Sequence, residues 1–323
     1  MKLSRRSVID VGLLVLVNAM WAAQYPGYKV AGEVLRPVTL SGWTFLMAAL
    51  VLLPFLVRER WVGRKQQERA TFPDGPLLSG KNRLMEKRNL VGFLTIGILG
   101  LMPASVFLAW GIDRSSASNA ALIYLTVPII TALLASVILN EKMTLVRWLS
   151  LIIALVGVLI LSDFDWRHLE LTSNQYLIGN ILVLLACATS AFYNVYCKEL
   201  LRRFTPLEVL IYGYLLAVAL CLPLSVWLEG FSPASILNYH LATWVALLAL
   251  SGLSWGMAMV LWLFLLKRLD VSQASVSVYL LPFMGVLVSA VTVHESITAR
   301  MLVGGLVTLV GTLLVTTTEA TAT

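Results

Sequence analysis

The sequence predicts an all-α polytopic membrane protein of ten transmembrane helices, arranged as two inverted five-helix repeats. Three observations predict it. Hydrophobic residues make up 59% of the 323 and charged residues only 13%, about half of the roughly 25% charged fraction of a soluble domain, and the mean hydropathy is +0.85. Apolar stretches of about 18 residues or more recur along the whole chain, each long enough to cross the hydrocarbon core of a bilayer. One pattern also occurs twice: Pro128 and Glu141 lie 13 positions apart, and so do Pro282 and Glu295, 154 residues further on.

The spans fall at about 8–28, 36–57, 90–111, 116–139, 144–162, 176–198, 206–228, 241–266, 272–293 and 297–317. In the first, Lys2, Arg5 and Arg6 precede an apolar run, as in a secretory leader. That run is long, carries Asn18, Trp21 and Gln24 near its end and has no clear A-x-A site, so it reads as a retained helix. After the second span, 58–89 is rich in charges and turn residues ("FPDGPLLSGKN"). It reads as a solvated cytoplasmic connector, with contact to anionic headgroups as the other reading. The fourth and ninth spans carry Pro128 and Pro282 close to mid-membrane. A proline there frees a carbonyl one turn earlier, at Tyr124 or Val278, which is tolerated only where protein or water satisfies it. The prolines therefore read as packed kinks or, given their equivalent depth in two copies, as gating hinges beside a cavity.

Basic residues set the topology. With the N-terminus cytoplasmic, 19 of the 24 lysines and arginines fall on inner loops and termini, and only Lys29, Arg36, Arg114, Arg167 and Arg300 fall outside. Short cytoplasmic loops hold the Lys and Arg excess, so both termini are expected inside. The net charge of +7 is thus a topology signal, and no nucleic-acid partner is expected.

The repeat extends beyond Pro and Glu, through Ser118/Ser272, Thr144/Thr298 and Gly157/Gly311 at the same offset. It divides the chain into 1–162 and 163–323. Five spans per half is an odd number, so the second half enters the membrane upside down. Inverted repeats of this kind mark secondary transporters, with substrate near the midplane between the halves.

Polar and aromatic residues near that depth are the candidate substrate contacts. The first span offers Asn18, Trp21 and Tyr25 at spacings of three and four, one helical face. The third ends with Phe107 and Trp110, the fourth carries Tyr124, and the sixth holds Ser190, Tyr193 and Asn194. The eighth holds Ser251, Trp255 and Trp262, and the ninth Ser275 and Tyr279. An interfacial aromatic belt is the competing reading and the preferred one for Trp61, Trp148, Trp166 and Trp244. Glu141 and Glu295 end their spans just before a Thr and an apolar run, where an acid favours the N-terminus of the next helix.

Other chemistries find no footing. Cys187, Cys197 and Cys221 are scattered inside apolar segments, which reads as buried thiols without a disulfide framework. His168, His240 and His294 fall at span ends, with no HExxH pattern, so neither a metal site nor a cofactor is expected. No nucleophile with a partnered base can be assembled, so the chain does not read as an enzyme. The spans hold almost no titratable group at depth; Asp10, Glu33, Glu208 and Glu229 join Glu141 and Glu295 at span ends. Intramembrane acids mark proton relays, so facilitated diffusion or exchange is expected.

The stretches "RSSASNAALIYLTVPIITALLASVILNEKMTLVRWLSLIIALVGVLIL" and "DVSQASVSVYLLPFMGVLVSAVTVHESITARMLVGGLVTLVGTLLV", with Pro-x12-Glu-x15-Gly in both, resemble the two copies of the EamA type of the drug/metabolite transporter superfamily. The resemblance covers essentially all ten spans. It implies a ten-helix carrier with both termini inside and a central cavity lined by spans 1, 3, 4, 6, 8 and 9. The chain departs from many relatives in "SGWTFLMAA", which has no arginine near Trp43.

The expected function is a secondary carrier in the cell (inner) membrane that exports small organic metabolites, such as amino acids or drug-like amphipathic compounds, by alternating access. Its expected partners are that solute and the lipid bilayer. A nucleotide-sugar or sugar-phosphate carrier is the alternative within transport, ranked lower because mid-membrane Lys and Arg are absent. A membrane receptor or scaffold is the alternative of another class.

Overall fold

Each predicted span is helical in a computed structural model of the chain, which describes residues 5–69, 86–115, 117–161, 176–292 and 298–318. Nine helices among the described residues are long and apolar enough to cross a membrane: α1 (Ser7–Gly32), α2 (Pro37–Gly63), α3 (Lys87–Asp113), α4 (Asn119–Ile138), α6 (Leu177–Leu200), α7 (Pro206–Glu229), α8 (Leu241–Leu266), α9 (Val271–Val288) and α10 (Ala299–Thr316). The tenth, α5 (Leu145–Leu161), has 17 residues. At about 1.5 Å per residue it is at the short end of what crosses a bilayer. No strand occurs among the described residues.

Two boundaries differ from the sequence expectation. The α2 helix continues as one unit from Pro37 to Arg69, so 58–69 of the expected connector is helical. Its arginines, lysine and glutamines are good helix formers, and charge alone does not end a helix that has left the bilayer. The remainder, 70–85, lies outside the described residues, as do His168, His294 and Glu295. The first span also runs on past 28 to Gly32, with a turn at Ala23.

Local signals set several helix ends. Before α7, Thr205 accepts from the Glu208 amide and Glu208 accepts from the Thr205 amide, with Pro206 at the first helical position. This is a reciprocal capping box. At the end of α4, Asn140 takes a left-handed φ of 57°, a conformation Asn tolerates, and the Glu141 amide returns to the Ala135 carbonyl at 3.3 Å. Gly230, at φ 65°, ends α7 in the same way, with the Phe231 amide on the Ser225 carbonyl.

The irregularities inside the helices recur at the offset seen in the sequence. Both α3 and α8 are π-helical in mid-course, at Ile96–Leu101 and at Leu250–Ala258. Their starts, Lys87 and Leu241, keep the same 154-residue offset, as do those of α5 and α10, Leu145 and Ala299. A turn at 125–126 interrupts α4, and α9 passes through a 3₁₀ segment, Val276–Tyr279.

The α5 and α10 helices approach each other at backbone distance. A Cβ on Gly157 would stand 2.5 Å from the Thr308 nitrogen and 2.8 Å from the Gly304 oxygen. A Cβ on Gly311 would stand 2.8 Å from the Ala154 nitrogen and 2.9 Å from the Ser150 oxygen. Residues 150, 154 and 157 become 304, 308 and 311 on adding the offset, so the contact is its own image and the two helices run antiparallel. Small residues permit such contacts between membrane helices. Elsewhere α2 packs along α7, and α6 against α3 and α4. The main core gathers around Phe45, Tyr214 and Trp262, with Phe45 stacked on Tyr214 at 5.5 Å.

Candidate functional site

Four helices meet at a cluster of uncharged polar and aromatic side chains. Asn18 and Trp21, three apart, share a face of α1. Asn18 is fully buried and its amide nitrogen donates to the Leu14 carbonyl at 2.8 Å and to the Ser277 hydroxyl of α9 at 3.4 Å. The Asn18 carbonyl oxygen has no partner among the described residues. An amide acceptor left without a partner inside a protein costs about 1–3 kcal/mol, so the position asks for a donor. Trp21 packs on Trp262 of α8, with centroids 5.3 Å apart and planes at 57°. The Trp262 indole donates to Asn194 of α6 at 2.9 Å, and Asn194 donates to the Ser190 carbonyl at 3.1 Å. Asn18, Trp21, Asn194, Trp262 and Ser277 thus tie α1, α6, α8 and α9 into one group.

The π-helical turns of α8 carry a second set of polar and aromatic contacts. Inserting a residue into a helix re-aims the side chains that follow, and such bulges cluster at functional sites. Here the Trp255 indole donates to the Tyr28 hydroxyl at 2.8 Å, while the Trp255 carbonyl accepts from Tyr214 at 2.6 Å. Ser251, in the same turns, is buried with a hydroxyl that finds no partner among the described residues. Tyr193 is 5% exposed and backs onto the π segment of α3, where a Cβ on Gly100 would lie 3.0 Å from the Tyr193 Cβ.

Other sequence candidates sit apart from this group. Trp110 packs with Val38, Val106 and Cys221, among α2, α3 and α7. Tyr124 lies with Val183 and Cys187 at the α4–α6 contact. Tyr25 belongs to α1, but its side chain is outside the described residues. Ser275 and Tyr279 face α4: the Tyr279 hydroxyl donates to the Leu125 carbonyl at 2.9 Å, and Ser275 donates to the Ser272 carbonyl at 2.9 Å and the Pro128 carbonyl at 3.4 Å. Pro128 is the second residue of the helical segment after the 125–126 turn, and Pro282 is the third residue after the 3₁₀ segment of α9. Both prolines therefore adjoin breaks, and the α4 break is served by side-chain hydroxyls, with Thr126 donating to the Ile123 carbonyl at 2.7 Å.

Glu141 caps a different helix from the one its sequence neighbours suggest. The N-terminus of α5 is served by Thr144, whose hydroxyl accepts from the Arg147 amide at 3.2 Å. Glu141 instead caps α9, accepting from the amides of Val271 and Ser272 at 2.8 and 2.9 Å and from the Ser272 hydroxyl at 2.5 Å. Glu229, at the end of α7, treats α2 alike, accepting from the amides of Val38 and Thr39 at 2.8 Å each and from the Thr39 hydroxyl at 2.6 Å. Sequence reasoning had no access to these pairings, which join residues 130 and 191 positions apart. It also passed over Ser277, although an S-x-S pair in an apolar span was a visible signal, and over Tyr28 and Tyr214. A separate apolar crevice of about 350 Å³ lies between the C-terminal part of α1 (Gln24, Gly27) and α8 (Ala246, Leu253), and its described lining includes none of the predicted substrate residues.

Comparison with known proteins matches the EamA-like transporter family to residues 9–163 and 177–317. A probable terminal-alkyne amino-acid exporter of Streptantibioticus cattleyicolor is 28% identical over 325 aligned positions, covering 98% of this chain and 94% of that protein. The uncharacterized transporter YoaV of Bacillus subtilis is 21% identical, with 91% of each chain covered. One solved crystal structure of a protein superposes with a TM-score of 0.72 at 17% identity, over 96% of both chains, which is a likeness of fold.

Proposed function

The chain belongs to the EamA-like transporter family, is an integral membrane protein and transports a small molecule; on that premise we propose that it exports amphipathic, amine-bearing organic solutes, such as amino acids, by alternating access. The observation that carries this reading is the buried, unpartnered Asn18 oxygen next to the Trp21–Trp262 pair. An amide acceptor beside aromatic faces suits a primary ammonium, which takes hydrogen bonds and is attracted to ring faces. The exporter in Streptantibioticus cattleyicolor bears a name of the same substrate class. A sugar-phosphate carrier fits less well, because the cluster of Asn18, Trp21, Asn194, Trp262 and Ser277 contains no cation for the phosphate.

Alternating access follows from reading 1–162 and 163–323 as repeats of opposite orientation. The self-complementary, antiparallel contact of α5 with α10 supports that reading, because a contact that is its own image implies a two-fold relation. Lying across two antiparallel spans, that axis runs in the membrane plane, and the gates at the two faces are then equivalent parts. The basic-residue asymmetry supports a cytoplasmic position for both termini in the proposed arrangement.

Flux into proteoliposomes across a panel of amino acids, amines and sugar phosphates tests the proposal. Saturable flux of amines or amino acids that falls on Asn18→Leu is the expected result. Flux confined to phosphorylated sugars, or none in the panel, overturns it.

A further inference from the structure

The turn between α8 and α9 is gripped by four other elements. Lys198 of α6 donates to the carbonyls of Leu266 and Leu269 at 2.5 and 2.7 Å. Arg268 lies 3.4 Å from Asp10 of α1 and over the Phe264 ring. Arg147 of α5 donates to Asp270 at 2.5 Å and to the Ser272 hydroxyl at 2.8 Å, and stands 3.8 Å from Glu141. Glu141, which ends α4, accepts the two amides and the hydroxyl of Val271 and Ser272. The Glu141 and Arg147 side chains are 6% and 8% exposed.

We propose that the Glu141–Ser272 cap, with Arg147 and Asp270, is the latch that shuts the substrate path at the end of the bundle where α4 finishes and α9 begins. The latch rests on the transport reading, since it parts once in each cycle. Three features argue for it. A buried ion pair is a weak source of stability, because desolvating both charges offsets most of their attraction; a device that must open and reclose is a better use. Every partner of Glu141 is a polar group that water can replace, so parting the latch exchanges hydrogen bonds for hydration and exposes little apolar surface. The capped turn also leads straight to the candidate site. Ser275 and then Ser277, which meets Asn18, follow Ser272 on α9; Ser277 lies within the 3₁₀ segment, which with the α4 turn supplies compliant points.

A further comparison lies within the molecule. The Glu229 cap on α2 has the same three-donor form but joins two helices packed along their course, which are tied again at their other ends by Glu59 to Thr205 at 3.3 Å and Arg60 to Glu208 at 3.1 Å. A pair clamped at both ends is a scaffold and not a gate.

The test reads solvent access with no solute present. In protein carrying Cys187→Ala, Cys197→Ala and Cys221→Ala, a single Ser275→Cys reporter is reacted with a membrane-impermeant maleimide in liposomes of phosphatidylethanolamine and phosphatidylglycerol. In Glu141→Gln the new amide NH₂ must face one of the two backbone N–H groups, two donors opposed, and the charge on the cap is gone. Labelling from the latch end should rise about tenfold, the scale of losing a hydrogen bond to a charged group. Glu229→Gln should leave labelling at position 275 unchanged. If Glu141→Gln does not fold, Asp270→Asn, at a half-exposed position, should raise labelling about threefold, as for a neutral-strength hydrogen bond lost. Unchanged labelling in a folded latch variant, or an equal rise in Glu229→Gln, overturns the latch. Wild-type protein that carries no solute refutes the transport reading alone, because labelling is scored without flux.

Discussion

Replacing Gly157 or Gly311 by alanine should destabilise the protein, although the same change is favourable at an open helical position. At Gly157 the added carbon would meet the Thr308 nitrogen at 2.5 Å and the Gly304 oxygen at 2.8 Å, and at Gly311 the Ala154 nitrogen at 2.8 Å and the Ser150 oxygen at 2.9 Å. The Thr308 hydroxyl, nearer still to Gly157, can rotate away, but these backbone atoms cannot swing aside. The α5 and α10 helices must separate instead, at the roughly 1–3 kcal/mol typical of overpacking. Gly12 supplies the control, because nothing lies within 4 Å of a Cβ there and alanine gains up to about 1 kcal/mol of helix propensity. The difference between Gly157→Ala and Gly12→Ala should therefore reach about 2–3 kcal/mol, with Gly311→Ala somewhat milder. Chaotrope unfolding in detergent, followed by tryptophan fluorescence, measures it. The double variant should cost less than the sum of the singles, since one separation relieves both contacts. Glycine variants as benign as Gly12→Ala, or strictly additive costs, would refute the self-complementary contact and remove the main support for inverted halves.

Trp262→Phe keeps a ring against Trp21 but removes the donor to Asn194; about a five- to tenfold rise in KM with turnover little changed is expected, read from concentration-dependent flux. Pro128→Ala and Pro282→Ala should each slow turnover several-fold at normal expression, because hinge positions alter kinetics more than fold; wild-type rates in both would sink the hinge reading. A pH gradient imposed without a solute gradient should drive no accumulation, since the site cluster holds no acid; uphill accumulation would show that an end-of-helix carboxylate such as Asp10 carries protons.

The helical class and the span count were legible because membrane burial writes itself into long apolar runs, which no tertiary contact is needed to read. The 154-residue offset was legible too, from Pro128/Pro282 and Glu141/Glu295, but that the π segments of α3 and α8 begin at the same offset could not be read from it. Illegible was everything set by pairings between distant elements. Trp21 and Trp110 look alike in sequence as tryptophans near a span end, yet one meets Trp262 and the other fills a core between α2, α3 and α7. Tyr279 reads as a cavity residue from its depth, but its hydroxyl is committed to the Leu125 carbonyl of the α4 break. Glu141 reads as a local cap because its nearest helix in sequence is α5, while the donors it meets belong to α9.

Charge and polarity are divided between distinct levels of the bundle, and the division bears on how such a carrier can work. Carboxylates and cations gather at helix ends, where Glu141, Glu229, Arg147, Asp10 and Arg268 hold one helix to another. The candidate site between α1, α6, α8 and α9 is built from amides, hydroxyls and indoles alone. A fixed charge at its centre would have to be neutralised by solute or rehydrated each time the empty protein turned over, and moving one charge through the full potential costs about 2.3 kcal/mol per 100 mV. Without one, the return of the empty protein in the proposed alternating-access cycle carries little electrical cost. In the proposed cycle the net charge moved is then that of the solute alone, and selectivity falls to shape, aromatic contact and the free Asn18 acceptor.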